Sequence, residues 1–166
     1  MARTIVLRQH RSQHLAQRSS EARMISGQLA LVVSAVFAGA ALYINIVEQP
    51  ARLQLATPDL LTEWKLAYKR GTLMQAPLAV LGLLLGGVAW WQTGRPEWMV
   101  GGALMIVNWP FTFLVIMPVN HKLMAADSAT TDVDVRKMIE HWNRLHAGRT
   151  ALGCAATAAF LWASLS

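Results

Sequence analysis

Long stretches without a charged residue constrain this chain more than any other feature. Side chains that carry charge are missing from residues 24–47, 71–94 and 98–121. A helix of about 20 apolar residues crosses the roughly 30 Å hydrocarbon core of a bilayer. Charged residues make up only 14% of the chain, against roughly 25% in soluble proteins. The sequence therefore predicts an integral membrane protein and argues against an ordinary soluble domain.

The apolar runs predict an all-α fold, a membrane-embedded four-helix bundle formed by residues 24–166. Its spans are expected at about residues 25–47, 72–92, 98–119 and 147–165. The last run is short, but no residue breaks a helical pattern as far back as Asp132, so we expect one long last helix there, capped by Thr131 or Asp132. Pro110 predicts a kink in span three, because proline cannot donate to the carbonyl of Ile106.

A short amphipathic helix is expected between spans one and two. Thr57, Pro58 and Asp59 form a helix-start signal, and apolar residues then recur on one helical face. With four crossings, the two longer connectors, residues 48–70 and 118–149, emerge on the same side of the membrane. The bundle is then expected to have one elaborated face.

The amino-terminal arm, residues 1–23, is basic. It holds five arginines against one acid, a pattern that favours contact with anionic lipid headgroups over nucleic acid. The arm favours a cytoplasmic amino terminus in a multi-pass protein of the bacterial inner membrane, although the nine Lys and Arg of the two connectors pull the other way. The lone Cys154 excludes an intramolecular disulfide.

Polar residues at the ends of the spans form the candidate site, because lipid cannot form the hydrogen bonds that these side chains need. Asn45 and Glu48 share one stripe at the end of span one, while His146 and Arg149 share one face of the last helix. An imidazole and a guanidinium on one face can remove a proton and hold the resulting anion. The alternative is structural: Arg149 reaches to headgroups, and Glu48 pairs with a basic residue of a connector.

Span three adds further polar side chains to this picture. Asn120 and His121 end the span on the elaborated face, so they could converge there with Glu48 and His146. Glu48, His121 and His146 are the candidate ligands if a metal binds, but no helix carries a paired metal motif, and the sequence favours a site without metal.

Four segments together resemble one known family. They are YINIVEQPARL (43–53), WKLAYKRGTLMQAP (64–77), FTFLVIMPVNHKL (111–123) and WNRLHAGRTALG (142–153). This order is similar to that of the anthrone oxygenase-like family of small four-span membrane proteins, and the resemblance covers about residues 25–162. Its most specific pieces are the Glu48/Pro50 pair, the Pro118/Asn120 pair and the Trp142/His146/Arg149 triplet.

The resemblance implies an oxidoreductase that converts an anthrone-like, lipid-soluble aromatic substrate with dioxygen and without a cofactor. It implies His146 as the base, Arg149 with Asn120 as stabilisers of the enolate, and Glu48 as the residue that orients the imidazole. The side chains expected to contact the substrate are Tyr43, Asn45, Trp64, Asn108 and Trp142.

A second hypothesis comes from a different class of function. The chain could be a noncatalytic accessory subunit that packs in a homo-oligomer or a larger membrane complex and binds lipid, quinone, pigment or haem. Small residues at helix faces, such as Gly82 and Gly86, are compatible with helix contacts within one chain and with contacts between subunits. Composition and spacing do not separate the two hypotheses.

Overall fold

The structure, a computed structural model, describes residues 25–127 and 132–166 of the chain. This part is all-α and contains no strand. Its helices are α1 (Ile25–Arg52), α2 (Thr57–Thr93), α3 (Pro96–Ala125) and α4 (Asp132–Leu165). The predicted basic arm and the predicted side-chain cap at Thr131 or Asp132 lie outside the described residues.

Three of the helices are long and apolar enough to cross a membrane. The most apolar stretches of α1, α2 and α3 have mean hydropathies of 2.2, 1.8 and 1.8. The fourth helix packs against α3 and α2 along the same bundle. The predicted fold class, an all-α membrane bundle of four helices with a long last helix, is confirmed.

The amphipathic segment predicted between the first two spans is the beginning of α2 itself. This helix begins at Thr57 and runs without a break for 37 residues, with Pro58 and Asp59 in its first turn. Gly71 lies inside it, and one interior glycine costs only about 1 kcal/mol, too little to end a helix that continues on both sides. At roughly 55 Å, α2 is longer than the hydrocarbon core and projects beyond it.

The two longer connectors lie at the same end of the bundle, as predicted. Arg136 of α4 donates to the carbonyls of Leu53 and Leu55, at 2.7 and 2.9 Å. Lys65 of α2 donates to the carbonyl of Ala126 at 2.7 Å. These bonds satisfy backbone carbonyls that no helix can satisfy, and they tie the connectors to the projecting ends of α2 and α4.

Two clusters of buried apolar residues form the core. The membrane cluster consists of Ala30, Phe37, Ala79, Ala89, Trp98, Met105, Ala156, Phe160 and Ala163. The rim cluster, near the connectors, consists of Leu60, Trp64, Ile116, Leu123, Ala126, Val135, Ile139 and Trp142. Polar side chains collect between the two clusters, where the helices are still packed on all sides.

The predicted role of Gly82 and Gly86 in helix contact is confirmed. A Cβ on Gly86 would lie 2.8 Å from the backbone oxygen of Trp98 in α3, and one on Gly82 would lie 2.8 Å from the Met105 side chain. Backbone cannot move aside as a flexible side chain can. We therefore expect Gly86 to set the closest approach of α2 and α3.

Replacing Gly86 by alanine is expected to lower the free energy of unfolding by about 1–3 kcal/mol, because the added methyl group overpacks a tight contact. Chemical denaturation in detergent measures the loss. Gly39→Ala is the matched control, since a Cβ at Gly39 meets no atom within 4 Å. Equal stability of the two variants would contradict this account of the α2–α3 contact.

Wide π turns interrupt α1 and α3 beside the candidate site. They cover Ile44–Glu48 and Thr112–Ile116, and each ends two residues before a proline, Pro50 in α1 and Pro118 in α3. A proline ring clashes with the carbonyl four residues earlier, and a wider turn displaces that carbonyl. Pro110, where a kink was predicted, lies in regular α-helix just before the second π turn.

The π turns also lie next to the Glu48/Pro50 and Pro118/Asn120 pairs. Each turn adds one residue to its helix and so changes which side chains face the bundle from that point on. In α1 the turn carries Asn45 and Glu48, and in α3 it precedes Asn120. The two prolines thus help to aim polar side chains from two helices at one place.

Candidate functional site

A cavity of about 340 Å³ opens between the membrane cluster and the rim cluster. All four helices contribute to its wall, and its size is in the usual range for a pocket that holds a small organic molecule. Its charged and amide side chains are Glu48, Arg52, Arg70, Gln75, Asn120, His146 and Arg149. With three guanidinium groups and one carboxylate, this wall favours a ligand that carries or develops negative charge.

His146 is the most buried ionisable residue of the wall, with 2% of its surface exposed. Its Nδ1 lies 3.1 Å from Oδ1 of Asn45 in α1. Its ring packs on Trp142, with centroids 4.9 Å apart and planes inclined by 30°. The imidazole is therefore held on one edge by an amide and on one face by an indole.

The contacts of Asn45 identify which nitrogen of His146 carries hydrogen. Asn45 Nδ2 donates to the backbone oxygen of Asn143 at 3.0 Å and to its Oδ1 at 2.6 Å. Asn45 Oδ1 accepts a bond from the Thr150 hydroxyl at 2.5 Å. This amide orientation leaves only an oxygen facing His146, so Nδ1 must be the donor. In the neutral ring, Nε2 is then the nitrogen with a free lone pair.

Arg149 lies one helical turn beyond His146 on α4. Its Nη2 donates to Oε1 of Gln75 in α2 at 2.8 Å, and its guanidinium carbon lies 5.6 Å from the centre of the Phe37 ring. Its Nε has no hydrogen-bond partner among the described residues. Gln75 and Phe37 fix the side chain inside the bundle, so the structural alternative in which Arg149 reaches to headgroups does not describe it.

Glu48 does not orient the imidazole, and this part of the prediction is corrected. Its carboxylate pairs with Arg52 one turn later, and Arg52 also lies 2.9 Å from the carboxylate of Glu63 in α2. Arg52 is buried among these acids, with 4% of its surface exposed. Because an arginine competes for Glu48, the carboxylate is used to neutralise that guanidinium, and Asn45 holds His146 instead.

Asn120 reaches the cavity from α3, as predicted. Its Oδ1 accepts a bond from Nε1 of Trp142 at 2.8 Å, and its Nδ2 contacts the sulfur of Met117 at 3.9 Å. Asn120 therefore fixes the indole on which His146 packs. It also places amide N–H groups in the same wall as the imidazole.

The structure separates the five predicted substrate contacts. Tyr43 and Trp142 line the cavity. Asn45 lies behind His146 and holds it, while Trp64 is fully buried and packs against Tyr68 and Trp142. Asn108 is buried next to a second, smaller cavity.

The three candidate metal ligands do not converge. Glu48 and His146 both line the cavity, but His121 is exposed and is not part of its wall. Within residues 25–127 and 132–166, no group of three or more His, Cys, Asp or Glu side chains is placed to hold a metal ion.

Sequence reasoning missed three residues that shape the site: Arg52, Gln75 and Thr150. Gln75 is 1% exposed and holds Arg149. It lies within an otherwise apolar span, where a polar side chain needs a partner, so the rule that selected Asn108 could have selected Gln75. Arg52 and Thr150 lie near span ends, where charged and hydroxyl groups are common and give little signal.

Comparison with known proteins gives one match. The family model described as anthrone oxygenase matches residues 64–159, more than half of the chain. The matched region contains Gln75, Asn120, His146 and Arg149 and leaves out Asn45 and Glu48. No curated protein and no solved structure matches.

Proposed function

Because this chain belongs to the anthrone oxygenase family, we propose that it is a membrane enzyme that oxidises an activated methylene with dioxygen. The substrate is a lipid-soluble aromatic ketone of the anthrone type, whose CH₂ group is acidic because the carbanion is delocalised onto the ketone oxygen. The cavity between the two clusters is its binding site. Tyr43 and Met74 line the cavity and have exposed side chains, which is compatible with entry of the substrate from the lipid phase.

One observation carries the proposal: the Asn45 amide assigns the hydrogen of His146 to Nδ1. The lone pair of Nε2 is then available as a general base in a buried wall that already holds Arg149. Asn143 and Thr150 fix the amide of Asn45, and this amide in turn fixes the imidazole. The arrangement resembles the way in which other enzymes orient a catalytic imidazole through its second nitrogen.

The reaction begins with proton removal. His146 Nε2 takes one proton from the methylene, and the electron pair of that C–H bond becomes an enolate whose charge lies largely on the ketone oxygen. Arg149, and the amide of Asn120, stabilise this negative charge by hydrogen bonds. The imidazolium formed keeps its Nδ1–H bond to Asn45.

Dioxygen then accepts electrons from the carbanion carbon, and a C–O bond forms. The peroxide anion takes the proton back from His146 to give a hydroperoxide. Loss of the second methylene proton, with cleavage of the O–O bond and departure of hydroxide, gives a carbonyl group, and the proton and hydroxide form water. The balance is CH₂ plus O₂ to C=O plus H₂O. The substrate supplies all four electrons, so the proposal includes no cofactor.

Isotope and oxygen measurements test this function. Purified protein in detergent should consume one dioxygen per anthrone oxidised, and with ¹⁸O₂ the quinone should gain a single ¹⁸O atom. Ser34→Ala is a suitable control variant, since Ser34 is buried in the first half of α1, does not line the cavity and donates to the carbonyl of Leu31 in its own helix. A rate equal to autoxidation in protein-free micelles would reject the proposed function.

A further inference from the structure

A second cavity of about 160 Å³ adjoins the first. The two cavities share Tyr68, Thr72, Gln75 and Arg149 in their walls. We infer that the second cavity is a subsite for a ring of the substrate that bears a hydroxyl group, and that Asn108 recognises this hydroxyl. The inference rests on the proposed function, because it extends the same binding site.

The size and lining of the second cavity suit an aromatic ring. A cavity of about 150 Å³ is sufficient to hold benzene. Here Trp109 and Phe113 form an edge-on pair with centroids 6.1 Å apart, and Ala76 and Ala79 leave space between α2 and α3. Because Gln75 and Arg149 line both cavities, a fused ring system seated in the main cavity lies next to this space.

Asn108 supplies an acceptor that lacks a donor. Its Nδ2 donates to the carbonyl oxygens of Leu104 and Met105, each at 3.2 Å. This fixes the amide, so the remaining atom, Oδ1, is an acceptor, and it has no partner among the described residues. Asn108 is 1% exposed. A buried carbonyl oxygen without a donor is unfavourable, and a ligand that donates a hydrogen bond removes that cost.

The wall that the two cavities share carries hydrogen-bond donors, in contrast to the acceptor of Asn108. Oε1 of Gln75 is taken by Arg149, so Gln75 Nε2 is a donor, and it lacks a partner among the described residues, as does Arg149 Nε. Donors therefore lie between the cavities, and an acceptor lies in the wall of the second cavity. A ketone oxygen suits the donors, but only a group with its own hydrogen suits Asn108. A phenolic hydroxyl on the outer ring meets this requirement, and an ether does not.

Binding of matched quinones tests the inference without turnover. The full-length protein in detergent is titrated with 2-hydroxyanthraquinone and with 2-methoxyanthraquinone, and quenching of tryptophan fluorescence gives each Kd. The wild type is expected to bind the hydroxyl compound about tenfold more tightly. Asn108→Leu should abolish this preference, and Ser34→Ala should retain it. Comparing each ligand across variants at one micelle concentration cancels its partition into detergent.

A second variant covers the case in which Asn108→Leu does not fold. Ala76→Leu places a larger side chain in the second cavity and leaves Asn108 unchanged. It should weaken binding of both quinones about tenfold or more. A hydroxyl-to-methoxy ratio of Kd values that is the same in the wild type and in Asn108→Leu, or wild-type affinity for both quinones in Ala76→Leu, would overturn the subsite. If oxidation still depends on His146 in that case, only the subsite is rejected. If neither quinone binds and no oxidation occurs, the proposed function fails with it.

Discussion

Replacing His146 by alanine is expected to lower kcat for oxidation of an anthrone by about a thousandfold, with a much smaller change in KM. The size of the effect is that of a lost general base, which typically contributes 10² to 10⁴ in rate. The substrate still fits, because a smaller side chain leaves the cavity open. Steady-state oxygen consumption in detergent, corrected for autoxidation, measures the loss.

His141→Ala is the matched control for this variant. It removes a histidine five residues earlier on the same helix, but that side chain is exposed and does not line the cavity. Its rate should equal that of the wild type. Wild-type turnover in the His146 variant would show that the base is another group.

The variant Asn45→Leu tests whether the orientation of His146 matters in addition to its presence. It keeps His146 but removes the oxygen that fixes hydrogen on Nδ1, so the ring can adopt the unreactive tautomer. We expect an intermediate loss in kcat with KM nearly unchanged, and no further loss when Asn45→Leu is added to His146→Ala. Independent, additive losses would show that Asn45 acts through some other part of the fold.

Replacing Arg149 by methionine is expected to lower kcat/KM by about a hundredfold. In the proposed mechanism the guanidinium stabilises the developing enolate, and loss of one such donor typically costs 10² to 10³ in rate. Methionine keeps much of the side-chain volume beside Phe37. Arg149→Lys should recover part of the rate, since it restores charge but not the planar fork that donates to Gln75.

Arg144→Met is the control for charge. It removes an exposed arginine from the same helix, outside the cavity wall. Gln75→Leu should cost less than Arg149→Met, and the double variant should be close to Arg149→Met alone, because Gln75 acts by holding the guanidinium. A normal kcat/KM in Arg149→Met would assign stabilisation of the enolate to another donor.

Sequence patterns were sufficient for the fold and for part of the site. Uncharged runs of about 20 residues predict membrane helices because a helix satisfies its backbone hydrogen bonds within one segment, as lipid requires. The same solvent makes isolated polar residues conspicuous, and the sequence therefore points to His146, Arg149 and Asn120. The α2 helix was predicted as two pieces, since its amphipathic beginning and apolar continuation have different patterns although the backbone is continuous.

The partners of the candidate residues were less predictable. The family resemblance assigned Glu48 to His146, yet Arg52, only one turn away in the chain, takes the carboxylate. Asn45 was predicted to contact the substrate, and instead it holds His146. Trp64 was also predicted to contact the substrate, but it is fully buried against Tyr68 and Trp142.

Hydropathy and helical periodicity are local properties of the chain, so they are enough to predict helices surrounded by lipid and to mark the polar residues in them that need partners. Which polar atoms meet cannot be predicted in this way, because it depends on how the helices pack. That choice depends on helix rotation, which the π turns before Pro50 and Pro118 alter by a single residue. A shift of about 100° per residue is enough to exchange one partner for another.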